Sequence, residues 1–170
     1  MFTHKCTQSI SHYGNAMNEQ RFQENEEDRL SIITPTKGDP TLVCCPKCQS
    51  KAIVALHDDE ARLSCASCGY NQKKSTEHRT FYWGAENPTD SYFDANLWLQ
   101  TDCVGESLWA FNKRHLEYLE NFVSAKHRQR NPNVDAWINS SLASRLPKWM
   151  KAAKNREQVL KAIAVLKNKI

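Results

Sequence analysis

An α+β fold is the expectation for this chain: a four-cysteine zinc ribbon, then a small antiparallel β-sheet, then a C-terminal bundle of helices. Three observations lead there. Four of the seven cysteines fall in two C-x-x-C pairs, Cys45 with Cys48 and Cys65 with Cys68, with sixteen residues between the pairs. An aromatic middle stretch follows in short runs of strand formers, and the last third carries apolar residues at helical spacing. At 170 residues there is room for one ordinary domain, or for a small metal-stabilised module beside a compact partner domain.

Residues 1–40 read as a polar N-terminal arm. The run "NEQRFQENEEDR" has too little apolar content to nucleate a core, and "TPTKGDP", residues 34–40, has the Pro and Gly content of a linker. The first twenty residues lack an apolar stretch behind a basic start, and no segment approaches the ~18 to 20 apolar residues that span a bilayer. A cytoplasmic protein with no membrane partner is expected.

Residues 41–75 form the expected ribbon. C-x2-C-x16-C-x2-C lies within the spacing range of four-cysteine zinc sites. Each C-x-x-C can fold as a knuckle that turns both sulfurs to one metal. Pro46 stiffens the first, and Gly69 follows the second, where a left-handed backbone is often needed. Between them "KAIVALH" is rich in strand formers, "DDEA" is a polar turn and "RLSC" returns the chain. Four thiolates close the tetrahedron and leave no position for water or substrate, so one structural zinc is expected. Disulfides do not suit a chain without an export signal, and a redox C-x-x-C belongs at the start of a helix in a βαβ setting.

Cys44 makes only a C-x3-C spacing with Cys48 and reads as a small packed side chain. Cys6 and Cys103 are isolated. A second site from His4, Cys6, His12 and Cys103 is conceivable, but ordinary packed residues are the expectation. Lys47, Lys51, Lys73 and Lys74 stand near the ribbon as surface lysines or as offsets to its negative charge.

Residues 76–170 form an aromatic β-hairpin followed by a basic helical region. "RTFYWG", "NLWLQT" and "SLWAFN" read as short strands, with "DCVGE" joining the last two. Their large aromatics suit a small core, while Trp83, Trp98 and Trp109 are candidate anchors for a partner. Residues 113–130 predict an amphipathic helix with Leu116, Leu119, Phe122 and Val123 on one side. Residues 136–146 and 148–154 predict two shorter helices separated at Pro147. A last helix opens at Asn155, with Gln158 in capping-box position and Val159, Ile163, Leu166 and Ile170 in one stripe.

"CPKC" with "CASCGY", "YWG", "DSYFDANLWLQTDC", "SLWAFNKRHLEYLENFVSAKHR" and "SLASRLPKWMKAAKNREQVLKAI" together resemble a group of small bacterial proteins described as containing a zinc ribbon of the transcription-factor-IIB type. The resemblance covers roughly residues 42–170. It implies the ribbon and brings no activity with it; descriptions linking the group to a replication-restart helicase rest on the ribbon itself. The group has Cys-Cys-Gly where this chain has Cys103-Val104-Gly105, which argues against a further metal or redox role for Cys103.

Charge narrows the function classes. Residues 81–120 carry two basic and seven acidic side chains, whereas residues 121–170 carry eleven and two. There is no Gly-rich phosphate loop, nucleophile elbow or H-E-x-x-H, and the histidines are scattered, so an enzyme is not expected. The favoured expectation is an adaptor or stoichiometric inhibitor that binds a protein partner, such as an immunity protein against a bacterial toxin. The alternative is a nucleic-acid-binding protein of replication or transcription that contacts phosphates through the ribbon and through Lys151, Lys154 and Lys161.

Overall fold

The run "KAIVALH" alternates between inward and outward side chains because successive Cβ atoms of a strand point to opposite faces. In the computed structural model, which describes residues 21–23, 32–77, 88–129 and 142–170, it is strand β3 (Lys51–His57), with Ala52 and Val54 buried and Lys51 and Ile53 exposed. β2 (Thr41–Cys44), β4 (Glu60–Ser64) and β5 (Asn71–Ser75) complete an antiparallel sheet of order β2-β3-β4-β5. Register places Val43 opposite Ala52 and Val54 opposite Leu63. These residues share the inward face with Thr41 and Ala61, and all are at most 2% exposed. Asp58 takes a left-handed φ of 52° in the turn between β3 and β4, a conformation aspartate tolerates better than most residues. The "DDEA" turn is thus shorter than expected, since Glu60 and Ala61 already belong to β4.

The outer edge of β2 joins the sheet to the aromatic middle. The Leu42 N–H donates to the Phe111 carbonyl at 2.8 Å, the Cys44 N–H to Asn96 at 2.7 Å, and the Trp98 N–H to Leu42 at 2.9 Å. Beyond this seam, β6 (Leu99–Cys103) and β7 (Glu106–Ala110) form an antiparallel hairpin, close to the expected positions. Val104 and Gly105 form its two-residue turn with φ of 57° and 79°. That pattern suits a tight hairpin and favours Gly, Asn or Asp at both positions, so valine is an unusual occupant of the first. The predicted strand "RTFYWG" lies outside the described residues.

Helix α1 (Lys113–Ser124) buries Leu116, Leu119, Phe122 and Val123 as their spacing predicts, together with His115 and Tyr118. It ends six residues before the predicted end. Ala125 turns to extended backbone, and His127–Gln129 form β8, which pairs in parallel with β1 (Arg21–Gln23). A tertiary strand partner thus overrides the local helical pattern.

Further along, the predicted helix over 136–146 lies outside the described residues as far as position 141; the described part holds α2 (Leu142–Arg145), and α3 (Lys148–Lys151) follows Pro147 and ends short of the predicted 154. Residues Ala153–Asn155 form a 3-10 turn and lead into α4 (Arg156–Lys167). The predicted capping box does not form. Asn155 already has helical backbone, φ −95° and ψ −4°, and its Nδ2 donates to the Trp149 carbonyl at 2.9 Å. Val159, Ile163 and Leu166 are buried as expected, whereas Ile170 is 45% exposed.

α4 packs on α1 and on β6, and one hydrophobic core runs from the β2–β5 sheet through the hairpin to these helices. Ile32 and Ile33, within the polar N-terminal arm of the sequence reading, belong to that core at 1% exposure each. Among the described residues no helix is long and apolar enough to cross a membrane.

Candidate metal centre

The four paired cysteines sit where β2 turns into β3 and where β4 turns into β5, and the two turns are built alike. In the first, the Cys45 N–H donates to the Ser50 carbonyl at 2.8 Å and the Gln49 N–H to the Cys45 carbonyl at 2.9 Å. In the second, Cys65 N–H to Tyr70 and Gly69 N–H to Cys65 repeat these bonds at 2.9 and 3.0 Å. Gln49 and Gly69 both take left-handed backbone, φ 60° and 71°, just after the second cysteine of each pair. The conformation expected at Gly69 is therefore present, and Gln49 adopts it without glycine's freedom.

These turns bring the sulfurs of Cys45, Cys48, Cys65 and Cys68 within 4.8 Å of one another, close enough to hold a metal ion. Cys45 Sγ lies 3.7 Å from Cys68 Sγ, and Cys48 Sγ lies 3.6 Å from Cys65 Sγ. Both separations far exceed the ~2.05 Å of a disulfide, and all six cysteines among the described residues are free. Cys45 and Cys65 are buried; Cys48 and Cys68 are partly exposed.

The crowded thiols do not ionise alike. Hydrogen bonds from the Ser50 backbone and side chain lower the Cys48 thiol to about 6. The Tyr70 backbone hydrogen bond favours the Cys68 thiolate, but burial and hydrogen bonds with Cys48, Cys45 and Cys65 outweigh it and push Cys68 up to about 12. Four thiolates in this volume repel one another, and a bound cation relieves that repulsion.

Cys44 lies outside the cluster, and its thiol donates to the Leu97 carbonyl at 3.9 Å. Ser64 occupies the matching position before Cys65, consistent with a packed rather than ligating side chain. Cys103 is buried at the end of β6, and burial raises its thiol. His4, Cys6, His12 and Trp83 lie outside the described residues. Lys51, Lys73 and Lys74 have partners other than the sulfurs: the Ile170 carbonyl at 2.7 Å, Glu60 at 3.1 Å and the Tyr92 carbonyl at 2.9 Å.

The other candidate residues are spread over the surface. Trp98 is half-buried, and its indole N–H donates to the Lys169 carbonyl at 3.1 Å. Trp109 is half-buried with its ring edge-on to Phe111 and His115. Lys151 donates to the Ser144 carbonyl at 3.0 Å, Lys161 pairs with Glu157 at 2.7 Å, and Lys154 is exposed.

Two buried polar arrangements were not singled out from sequence. Asn112 caps α1 by accepting the His115 N–H at 2.8 Å, and its Nδ2 donates to the Ile32 carbonyl at 3.1 Å. Asn immediately before an apolar helical pattern was the available signal. Asp90 accepts the N–H groups of Tyr92, Phe93 and Ala95 at 2.9, 2.9 and 2.8 Å and so fastens the loop leading to the seam. Burial nevertheless raises its carboxyl above the usual range. Aspartate at the head of a tight loop was the available signal there.

No family model, curated protein or solved structure matches this chain.

Proposed function

We propose that the chain is a non-enzymatic, cytoplasmic zinc-ribbon protein that binds a protein partner, as an adaptor or a stoichiometric inhibitor such as a toxin-immunity protein. Zinc suits the donor set. A tetrahedron with ~2.3 Å zinc–sulfur bonds has edges of about 3.8 Å; the Cys45–Cys68 and Cys48–Cys65 sulfurs stand at 3.7 and 3.6 Å, and all four lie within 4.8 Å of one another. When bound, zinc would neutralise thiolate charge and tie the two turns together. With all four positions filled by Cys45, Cys48, Cys65 and Cys68, such a centre supplies shape rather than catalysis.

The engagement of the basic side chains is what favours a protein partner over nucleic acid. Lys161 is paired with Glu157 and Lys167 with Glu120, while Lys151 and Lys169 donate to backbone carbonyls. The two ion pairs lower the charge available to phosphates, while the two carbonyl bonds leave Lys151 and Lys169 charged but held to the protein surface. Of the acidic residues of the middle stretch, Asp94, Asp102 and Glu106 are exposed and offer a complementary surface to a basic partner.

Affinity purification of the tagged full chain from native lysate at high salt tests the reading. A stoichiometric protein that survives the salt wash is expected. Recovery of nucleic acid instead, with affinity falling steeply as salt rises and on neutralising Lys151, Lys154 and Lys161, would replace this reading with the nucleic-acid one. Metal analysis of natively purified protein is expected to give about one zinc per chain.

A further inference from the structure

Among the described residues the β1–β8 pair has three residues on each side, with Gln23 opposite Gln129. A two-stranded pair of this length has little stability of its own. What secures β1 is Phe22, whose ring stands edge-on to both Tyr118 and Phe122, with centroids 5.3 Å away in each case. Tyr118 and Phe122 lie on α1 and belong to the core, against which Phe22 packs from the side. An aromatic site on a helix thus stands beside a strand that pairs through its backbone, and β1 occupies both.

Strand addition derives affinity from main-chain hydrogen bonds and selectivity from the side chain that fills the adjacent pocket. In sequence, Lys126, His127, Arg128 and Arg130 surround or form β8, while Glu24, Glu26, Glu27 and Asp28 follow Phe22. In sequence the internal segment is therefore an aromatic residue preceded by Arg21 and followed by acidic residues, the latter opposite in charge to the residues around β8.

We propose that the β8 edge, with Tyr118 and Phe122, is a docking site for an extended partner segment carrying an aromatic residue followed by acidic residues, and that β1 is an internal occupant displaced by it. The proposal rests on the protein-binding reading and adds to its acidic surface a separate, basic contact for an acidic segment of the partner. An internal competitor lowers apparent affinity by the fraction of time the site is open. Weakening β1 therefore strengthens binding in trans.

The test uses the full chain and a labelled peptide of residues 20–29, QRFQENEEDR, followed by fluorescence anisotropy. Phe22→Ala is expected to bind the peptide about tenfold more tightly than the parent, with Phe22→Leu between them. Replacing the peptide's own Phe by Ala is expected to weaken binding by a similar factor. Circular dichroism checks that each protein is folded, and Phe22→Leu carries the test if Phe22→Ala is not. Equal affinity among folded proteins, or no binding, overturns the proposal. A parent dimer that the peptide dissociates would assign the site to a second copy of the chain and overturn the partner assignment. A co-purified partner whose binding is unaffected by excess peptide would leave the protein-binding reading standing and remove this site from it.

Discussion

Lys51, the residue after the first cysteine turn, donates from Nζ to the carbonyl oxygen of Ile170 at 2.7 Å across a sequence separation of 119 residues. Two neighbouring bonds reinforce this contact: Trp98 Nε1 to the Lys169 carbonyl at 3.1 Å, and Lys169 Nζ to the Gln100 carbonyl at 2.8 Å. The residues that follow α4 are therefore clasped to the corner between β2 and β3 and to β6.

Trp98→Phe keeps an aromatic ring and removes the indole donor. The expected cost is about 0.5–1 kcal/mol, with faster amide exchange at residues 167–170 than in the parent. Unchanged exchange there would mean that the indole bond does not hold the segment.

Cys44→Ser is expected to leave about one zinc per chain, because Cys44 contacts Leu97 outside the cluster. Cys65→Ser is expected to lose most of the bound metal and with it much of the folding free energy a structural site supplies, on the order of 10 kcal/mol. Metal analysis with thermal unfolding separates the two outcomes. Equal metal loss in both variants would place Cys44 among the ligands.

His115 predicts a pH dependence. Burial lowers its pKa from 6.5 to about 3, its Nδ1 accepts the Phe111 N–H, and its Nε2 has no hydrogen-bond partner among the described residues. The unfolded chain takes up a proton below 6.5 that the folded chain refuses, so stability is full above that pH and falls toward pH 3. The slope approaches ~1.4 kcal/mol per pH unit. The stability difference between the parent and His115→Gln should narrow as pH falls through this window, while effects of metal release are common to both proteins. A pH-independent difference would count against a neutral buried imidazole.

Val104 holds φ 57° at a turn position that is 47% exposed. A left-handed conformation costs a β-branched residue roughly 1–2 kcal/mol. Val104→Asn is expected to stabilise the chain by about 1 kcal/mol, read as a higher denaturant midpoint with unchanged slope. A lower midpoint would show that the valine side chain makes a contact worth more than the strain.

Asp90→Ala removes the acceptor for three backbone N–H groups in a buried loop. A loss of about 2–4 kcal/mol is expected, seen in chemical denaturation. Asp90→Asn should recover part of it, since an amide oxygen can still accept one or two of these bonds.

Local geometry explains which parts of the fold were legible in sequence. The cysteine turns depend on C-x-x-C and on one left-handed residue, and β3 depends on a short alternating run; both signals lie within a few positions. α1 was legible through the spacing of Leu116, Leu119, Phe122 and Val123. β5 was not, because "NQKKS" is polar at every position and is a strand through its pairing with β4. Ile32 and Ile33 follow a charged run, and their burial depends on core elements far along the chain. The early end of α1 and the missing cap at Asn155 likewise follow from tertiary partners, β1 in one case and Trp149 in the other.

The clasp at Lys51 orders events on the ribosome. β5 ends at Ser75, so the strands carrying all four clustered cysteines are synthesised about 95 residues before Ile170 emerges. At ~5–20 residues per second that interval lasts roughly 5–20 s. Metal capture can therefore precede the arrival of α4, and the nascent sheet spends those seconds with its β2 corner uncovered. Metal supply during translation would then bear on how much of the chain assembles correctly.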